Sequence, residues 1–547
     1  MKQKLLLGLL LFAIYTQSQE ENIIAELDKK TEQYVQGVTP GIAVGIIKNG
    51  EIIYERYLGY ANLEHQIAID KNTRINIAST AKQFTALMVL NLALEGKIDL
   101  EADIRTYLPS LFPKVTQTIR VRHLLNHTSG IRDYVFILEM QNKPAWRQVG
   151  LDNDDVITLL EKQEELVNIP GERYSYSNSG YTLLTAIIEK VTGTSFNDYS
   201  ESFFQELGMK ETSFVRRYMG VIPNRADSYS DWGNGLWLST PAVTKLNGDG
   251  FLYTTLRDQL TYEIALQNAA NDQNNLLFKS QQPIENSTIK TYGYGLELDK
   301  RLGHEAQFHS GSTFGYHSHI NRFPEDKLSV FVMSNKGSVW SGTIADELSA
   351  LLLPSIEEKK TYNERISESV NNLELSEILG QYLSPEGDLI RIVSENDKIL
   401  WKYANYNPYE LIKEGENLFV AAYNSAIKIR FFNDELVRFY DSGKTIAYKK
   451  QQIPAATNTD LKAIAGHYFS KELNMDFQLL LNEQHKLQIK FSNRDRVRSV
   501  VALNRSELLA SNFRMKIIRN QLDEITDILI TLNDRAKNNR FNRKKLN

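Results

Sequence analysis

The chain predicts an α+β fold: a two-lobed domain, made of an antiparallel sheet and a helical lobe, followed by two small antiparallel β-barrels. Three observations predict it. β-rich runs lie near 42–58 and again between 292 and 335, whereas 84–260 is mostly helical, so strands from both ends of one region must share a sheet around an inserted lobe. "LSEILGQYLS" at 375–384 returns as "LKAIAGHYFS" at 461–470, a tandem duplication. Each copy consists of short alternating runs separated by Asn, Asp and Gly turns, as small antiparallel barrels or sandwiches do.

The elements follow in order. "MKQKLLLGLLLFAIYTQS" carries Lys2 and Lys4, an apolar run from Leu5 to Ile14 and small residues after it, which reads as an export signal over 1–18. It is shorter than the about 20 apolar residues that a membrane-spanning helix needs. The protein is therefore expected to be exported, periplasmic or secreted, with no integral membrane segment once the signal is removed. Next come a helix with Ile23, Ile24, Leu27 and Tyr34 at helical period, and two β-runs around Asn49-Gly50, a strong hairpin signal. Four runs, "YGYGLELDK", "FHSGS", "HSHINRF" and "LSVFVMSN", read as consecutive antiparallel strands, and "TIADELSALLL" as the helix that closes this domain over 19–356.

Residues 357–372 are polar and charge-rich, suiting a linker. The barrels occupy 373–453 and 454–547. They match at Leu375/Leu461, Ile378/Ile464, Gly380/Gly466, Tyr382/Tyr468 and Ser384/Ser470, and "AYKK" at 447–450 ends the first copy where "RFNRKK" ends the second. The basic tail then reads as a final edge strand whose positive charges discourage strand addition, in preference to a polyanion-binding arm.

Composition excludes several functions. The 547 residues carry a net charge of -4, which becomes -6 once a signal with two lysines and no acids is removed. That gives no electrostatic footprint for nucleic acid. With no cysteine there is no disulfide framework, thiolate nucleophile or Cys-containing metal site. His317 and His319 share a strand face but lack a third nearby ligand, so neither a metal nor a cofactor is expected.

Chemistry concentrates in three short stretches. In "INIASTAKQFTALMVL", Ser79 precedes Lys82 by three residues, so both fall on one helix face and the amine can accept the proton of a serine hydroxyl that is otherwise a poor nucleophile. The same spacing recurs at Ser287/Lys290 and Ser425/Lys428. Only Lys82, however, opens a run with Phe84, Leu87, Met88 and Leu94 that reads as an amphipathic helix ended by Gly96. In "PGERYSYSNSGYTLL", Tyr176 and Asn178 precede a helix from about Gly180 to Val191; a phenol can relay a proton and an amide can hold a substrate carbonyl. In "FHSGSTFGYHSHI", His309-Ser310-Gly311 is the sole His-x-Gly; a glycine in a strand admits close approach, and the Ser312 amide can pair with that of Ser79 as an oxyanion hole. His123 and His127 read as hydrogen-bonded loop residues that order the surroundings.

These three elements, in this order, resemble the serine β-lactamase and D,D-peptidase superfamily, class C-like branch, over roughly residues 22 to 353. "IRVRHLLNHTSGI" and "GDGFLYTTLRDQLTYEIAL" resemble it too. Many lactamases of that branch carry lysine where His309 stands, whereas some D,D-carboxypeptidases and D-aminopeptidases carry histidine. The catalytic domain followed by two barrels also resembles the D-aminopeptidases. The resemblance implies a β-lactamase-like fold and a serine hydrolase working through an acyl-enzyme on amide or ester bonds, of D-aminopeptidase or D,D-carboxypeptidase type. An esterase, a β-lactamase or a non-catalytic β-lactam or peptide sensor are the alternatives. Ser79 would be the nucleophile, Lys82 and Tyr176 would share the proton work, Asn178 would orient the substrate and Lys82, and His309 would give a polar or cationic contact. Gly311 and Ser312 would line the oxyanion site, and the substrate would be a small peptide, amide or ester, peptidoglycan-derived in one reading.

Overall fold

A computed structural model of the chain describes residues 21–354 and 373–544, apart from 234, 242, 386–388, 404–407, 423, 440–444, 452–456, 495–496, 511–512 and 533–534. The export signal and the linker lie outside the described residues. Two compact units emerge. One comprises Met1–Ile131, Ala145–Glu161 and Asn168–Ile356; the other comprises Arg132–Pro144, Lys162–Val167 and Glu357–Asn547. Two short segments of the expected 19–356 domain thus group with the C-terminal region. The reason is a buried hydrogen-bond cluster: the Arg132 guanidinium reaches Glu472 at 2.6 Å and the carbonyls of Glu165, Lys537 and Asn538 at 2.8, 3.0 and 3.2 Å.

The first unit has the β-lactamase-like fold that the sequence predicts. Its six-stranded antiparallel sheet runs in the order Glu297–Arg301, His304–Thr313, Tyr316–Phe323, Leu328–Ser334, Ile42–Lys48, Glu51–Leu58. The two ends of the region meet where Ile42 pairs with Ser334 and Lys48 with Leu328. Asn49 and Gly50 take φ of 55° and 81°, the left-handed pair that a two-residue hairpin turn demands. Ile42, Val44, Ile46, Val330 and Val332 pack one sheet face against Leu27 of helix 21–32 and Ile344 and Leu348 of the Ser341–Leu352 helix. On the opposite face the Leu256–Ala269 helix comes so close that a Cβ at Gly45 would fall 2.6 Å from the Leu260 side chain.

The Lys82–Leu94 helix differs from its amphipathic expectation. Every residue from Lys82 to Leu90 is buried, because other elements cover it on all sides, and Leu94, expected on the apolar face, is exposed. Gly96 does follow the helix end, with φ 73° and its N–H donating to Ala93 O at 3.0 Å. Among the described residues no helix is long and apolar enough to cross a membrane.

In the second unit eight antiparallel strands from Gly380–Leu383 to Thr445–Lys450 form a closed barrel. A nine-stranded antiparallel sheet follows. Its two outer strands, Val497–Ser499 and Val501–Asn504, are neighbours in the chain, so the sheet nearly closes on itself. The duplication is legible atom by atom: Tyr382 donates to Ile378 O at 2.8 Å, and Tyr468 to Ile464 O at 2.7 Å. Tyr382 pairs with Lys450 where Tyr468 pairs with Arg543. The basic tail is therefore not the edge strand expected from sequence. Asn539–Arg543 lies between Gly466–Ser470 and Ile525–Thr531, because closure joins last strand to first.

Candidate active site

The backbone that presents Ser79 is strained and held. Ala78 has φ 47°, in the left-handed region that a residue with a Cβ rarely adopts. Its N–H donates to Asn76 Oδ1 at 2.8 Å, and Ile77 N–H donates to Leu252 O at 3.0 Å. Ser79 then sits in a short 3₁₀ turn, Ala78–Ala81, that runs directly into the Lys82–Leu94 helix, with its side chain partly open to solvent.

Lys82 is fully buried, yet its three possible donors each meet an oxygen: Ser79 Oγ at 3.0 Å, Asn178 Oδ1 at 2.9 Å and Asp249 O at 2.6 Å. The helix bearing Asn178 is Asn178–Thr192, ended by Gly193 at φ 68°. The Asp249 carbonyl arrives on a tight loop in which Gly248 has φ 93° and a Cβ would meet Thr185 Cγ2 at 2.2 Å. Sequence reading missed this ligand, since a carbonyl has no side-chain signature; its signal was Gly-Asp-Gly at 248–250.

Tyr176 lies against Lys82, with Nζ 5.1 Å from the ring centroid. His127 fixes it from behind. The two rings are 4.1 Å apart, Ser177 N–H donates to His127 Nδ1 at 3.1 Å, and Ser175 N–H donates to His127 O at 2.8 Å. His123 lies in the short helix Val121–Leu125 and not in a loop; its Nδ1 accepts from Arg120 N–H at 3.2 Å.

For His309 the structure decides between the two expected kinds of contact, polar and cationic. Burial, together with the nearby Lys82 ammonium, lowers its pKa to about 3, so the ring is neutral. Nδ1 lies 2.7 Å from Ser310 O, which can only accept, so Nδ1 carries the proton and Nε2 accepts from the Tyr292 hydroxyl at 2.9 Å. Of the two contacts expected, the neutral ring can give only the polar one, and it is buried. Gly311 lies where the backbone needs it: a Cβ there would sit 2.2 Å from Ile77 O and 3.1 Å from Ser79 N. Ser312 follows as an exposed residue opposite His317. The structure thus brings Ser79, Lys82, Tyr176, Asn178 and Gly311 around one point, with His309 behind them.

In the other Ser-x-x-Lys spacings Ser287 and Lys428 have partners of their own. Ser287 is buried and accepts from Asn126 Nδ2 at 2.6 Å, and Lys428 is 3.4 Å from Glu414. His319 is likewise occupied, by Ser310 Oγ and Asn321 Oδ1, both at 2.7 Å. Among the described residues no three His, Asp or Glu side chains gather in a way that could hold a metal.

The Beta-lactamase family model matches residues 23–353, which is more than half of the chain. The chain belongs to the β-lactamase family. This β-lactamase-family protein is a serine hydrolase, and its matched segment contains every residue of the site. It is 26% identical to the penicillin-binding protein 4* of Bacillus subtilis, over 68% of this chain and 86% of that one. It is 25% identical to a D-aminopeptidase of Cereibacter sphaeroides, over 80% of this chain and 81% of that enzyme. Among solved structures, the octameric penicillin-binding protein homologue from Pyrococcus abyssi superposes with a TM-score of 0.54 at 25% identity, covering 79% of this chain and 99% of that one.

Proposed function

We propose that this hydrolase is an exported serine peptidase of D-aminopeptidase type, cleaving an amide bond through an acyl-enzyme on Ser79. The observation that carries the reading is the set of three oxygens around Lys82. Once Lys82 has given up a proton, its amine has two N–H donors and one lone pair. Asn178 Oδ1 and the Asp249 carbonyl can only accept, so they take the two N–H groups and leave the lone pair facing the Ser79 hydroxyl. Lys82 is thus the base that receives the Ser79 proton as Oγ bonds to the substrate carbonyl carbon. The amides of Ser79 and Ser312 hold the oxyanion, Tyr176 relays the proton from Lys82 to the leaving amine as the C–N bond breaks, and water later releases the acyl group.

Two facts favour a substrate without a carboxylate beside the scissile bond. His309 is neutral and buried, so it brings no fixed positive charge to the site, and one long-matching relative is a D-aminopeptidase. Export is inferred from residues 1–18. The test is Ser79→Ala, assayed with D-aminoacyl amides, D-Ala-D-Ala peptides, short esters and nitrocefin. The expected result is a folded protein without turnover and without labelling by a serine-directed phosphonate, the parent enzyme preferring the amides. Unchanged turnover in the variant defeats the assignment, and a stable parent adduct without release would make the protein a sensor.

A further inference from the structure

The hairpin between Thr313 and Tyr316 turns through two residues, Phe314 and Gly315. Such turns place Gly, Asn or Asp where φ is positive, as this chain does at Asn49-Gly50. Here Phe314 holds φ 53°. A second phenylalanine, Phe251, holds φ 59°, and the two rings meet edge to face with centroids 6.0 Å apart. Bulky side chains in the left-handed region persist where surrounding structure enforces them, and such positions cluster at functional sites.

Both lie on the segments that flank the nucleophile. Phe251 stands between Asp249, whose carbonyl binds Lys82, and Leu252, whose carbonyl accepts from Ile77 N–H. Phe314 comes three residues after Gly311, whose Cβ position is 3.1 Å from Ser79 N. Phe251 is nearly buried and supports the ring; Phe314 is partly exposed. Neither belongs to the loop that carries Tyr176, the side from which the leaving amine takes its proton.

We infer that Phe314, backed by Phe251, forms an apolar wall for the acyl half of the substrate and selects residues with a large apolar side chain, aromatic or branched aliphatic. This rests on the Ser79 reading only for which half of the substrate meets the wall. The test separates the two. Binding of D-phenylalaninamide and D-alaninamide is measured by calorimetry in the Ser79→Ala protein, with Phe314 intact, as Phe314→Asn and as Phe314→Tyr. With Phe314 intact, D-phenylalaninamide is expected to bind at least about tenfold more tightly. Phe314→Asn, whose residue tolerates positive φ, should remove most of that ratio while melting at the same or a higher temperature, and Phe314→Tyr should keep the ratio. A ratio near one with Phe314 intact, or one unchanged by Phe314→Asn, overturns the inference. Failure of the catalytic reading would show separately, as absent phosphonate labelling of Ser79 in the parent protein.

Discussion

Adding one methyl group at position 311 should disable this enzyme. In Gly311→Ala the new Cβ would lie 2.2 Å from Ile77 O, 2.5 Å from Ser318 Oγ and 3.1 Å from Ser79 N. A carbon and a carbonyl oxygen normally stay about 3.3 Å or more apart, so the strand and the backbone leading to Ser79 must separate by about 1 Å. Neither partner yields easily. Ile77 O accepts from Ser318 Oγ at 2.6 Å and from Thr80 N–H at 3.1 Å, while Ile77 N–H is tied to Leu252 O. Overpacking of this kind costs about 1–3 kcal/mol of stability. A shift of that size between nucleophile and oxyanion donors costs about 10² in rate. Thermal melting measures the first effect, and kcat on a chromogenic amide and the rate of phosphonate labelling at Ser79 measure the second. Gly250→Ala is the control: its Cβ would lie 3.6 Å from the Ala78 carbonyl carbon, an ordinary contact, so kcat should change by less than about threefold. A folded Gly311→Ala protein with the parent kcat and labelling rate would refute the reasoning.

Two further outcomes follow from buried charge. Burial holds the pKa of His309 and His319 at about 3 and that of His123 at about 4. The unfolded chain binds these protons as pH falls through about 6.5, and the folded one does not, so the stability they contribute is complete above 6.5 and is lost on acidification; at pH 5 each removes about 2 kcal/mol. Urea melts of the catalytic unit at pH 7 and pH 5 measure this, and equal stability at both would contradict it. In the second unit, Arg132→Met should destabilise by about 3–5 kcal/mol, because it strands the nearly buried Glu472 carboxylate. Adding Glu472→Gln should recover most of the loss, and full stability of the single variant would count against the pairing.

The sequence made the Ser79–Lys82 pair legible because the two are bound by local helix geometry, and only one of three equal spacings opens a helix. It made the sheet legible because Asn49-Gly50 carries its own turn preference. Other features depend on non-local partners. The Asp249 carbonyl belongs to the site through the backbone alone. His309 read as a polar or cationic contact, and the sequence could not choose between them, because its tautomer is set by Ser310 O and its free nitrogen is taken by Tyr292 only in the folded protein. Lys82–Leu94 read as amphipathic, yet what covers its polar side, including the Asn178–Thr192 helix and the 248–250 loop, comes from far along the chain. The tail read as an edge because strand closure pairs residues that adjacent sequence never compares.

The His304–Thr313 strand shows why the site holds one positive charge and not two. Successive residues point to opposite sheet faces. Toward the nucleophile, His309 accepts from Tyr292; on the reverse face, Ser310 Oγ donates to His319 Nδ1, and His319 Nε2–H donates to Asn321 Oδ1. Asn321 Nδ2 then donates to Asp346 at 2.9 Å, and Asp346 also binds Arg301. Each link fixes the direction of the next, so the Gly311 backbone is held from both faces. Protonating His309 would turn Nε2 into a donor and deprive the buried Tyr292 hydroxyl of its acceptor, close to the Lys82 ammonium that already disfavours a second cation. A lysine at position 309 would meet the same obstacle permanently. The neutral imidazole is thus what lets the strand press against Ser79 while Lys82 alone handles the charge.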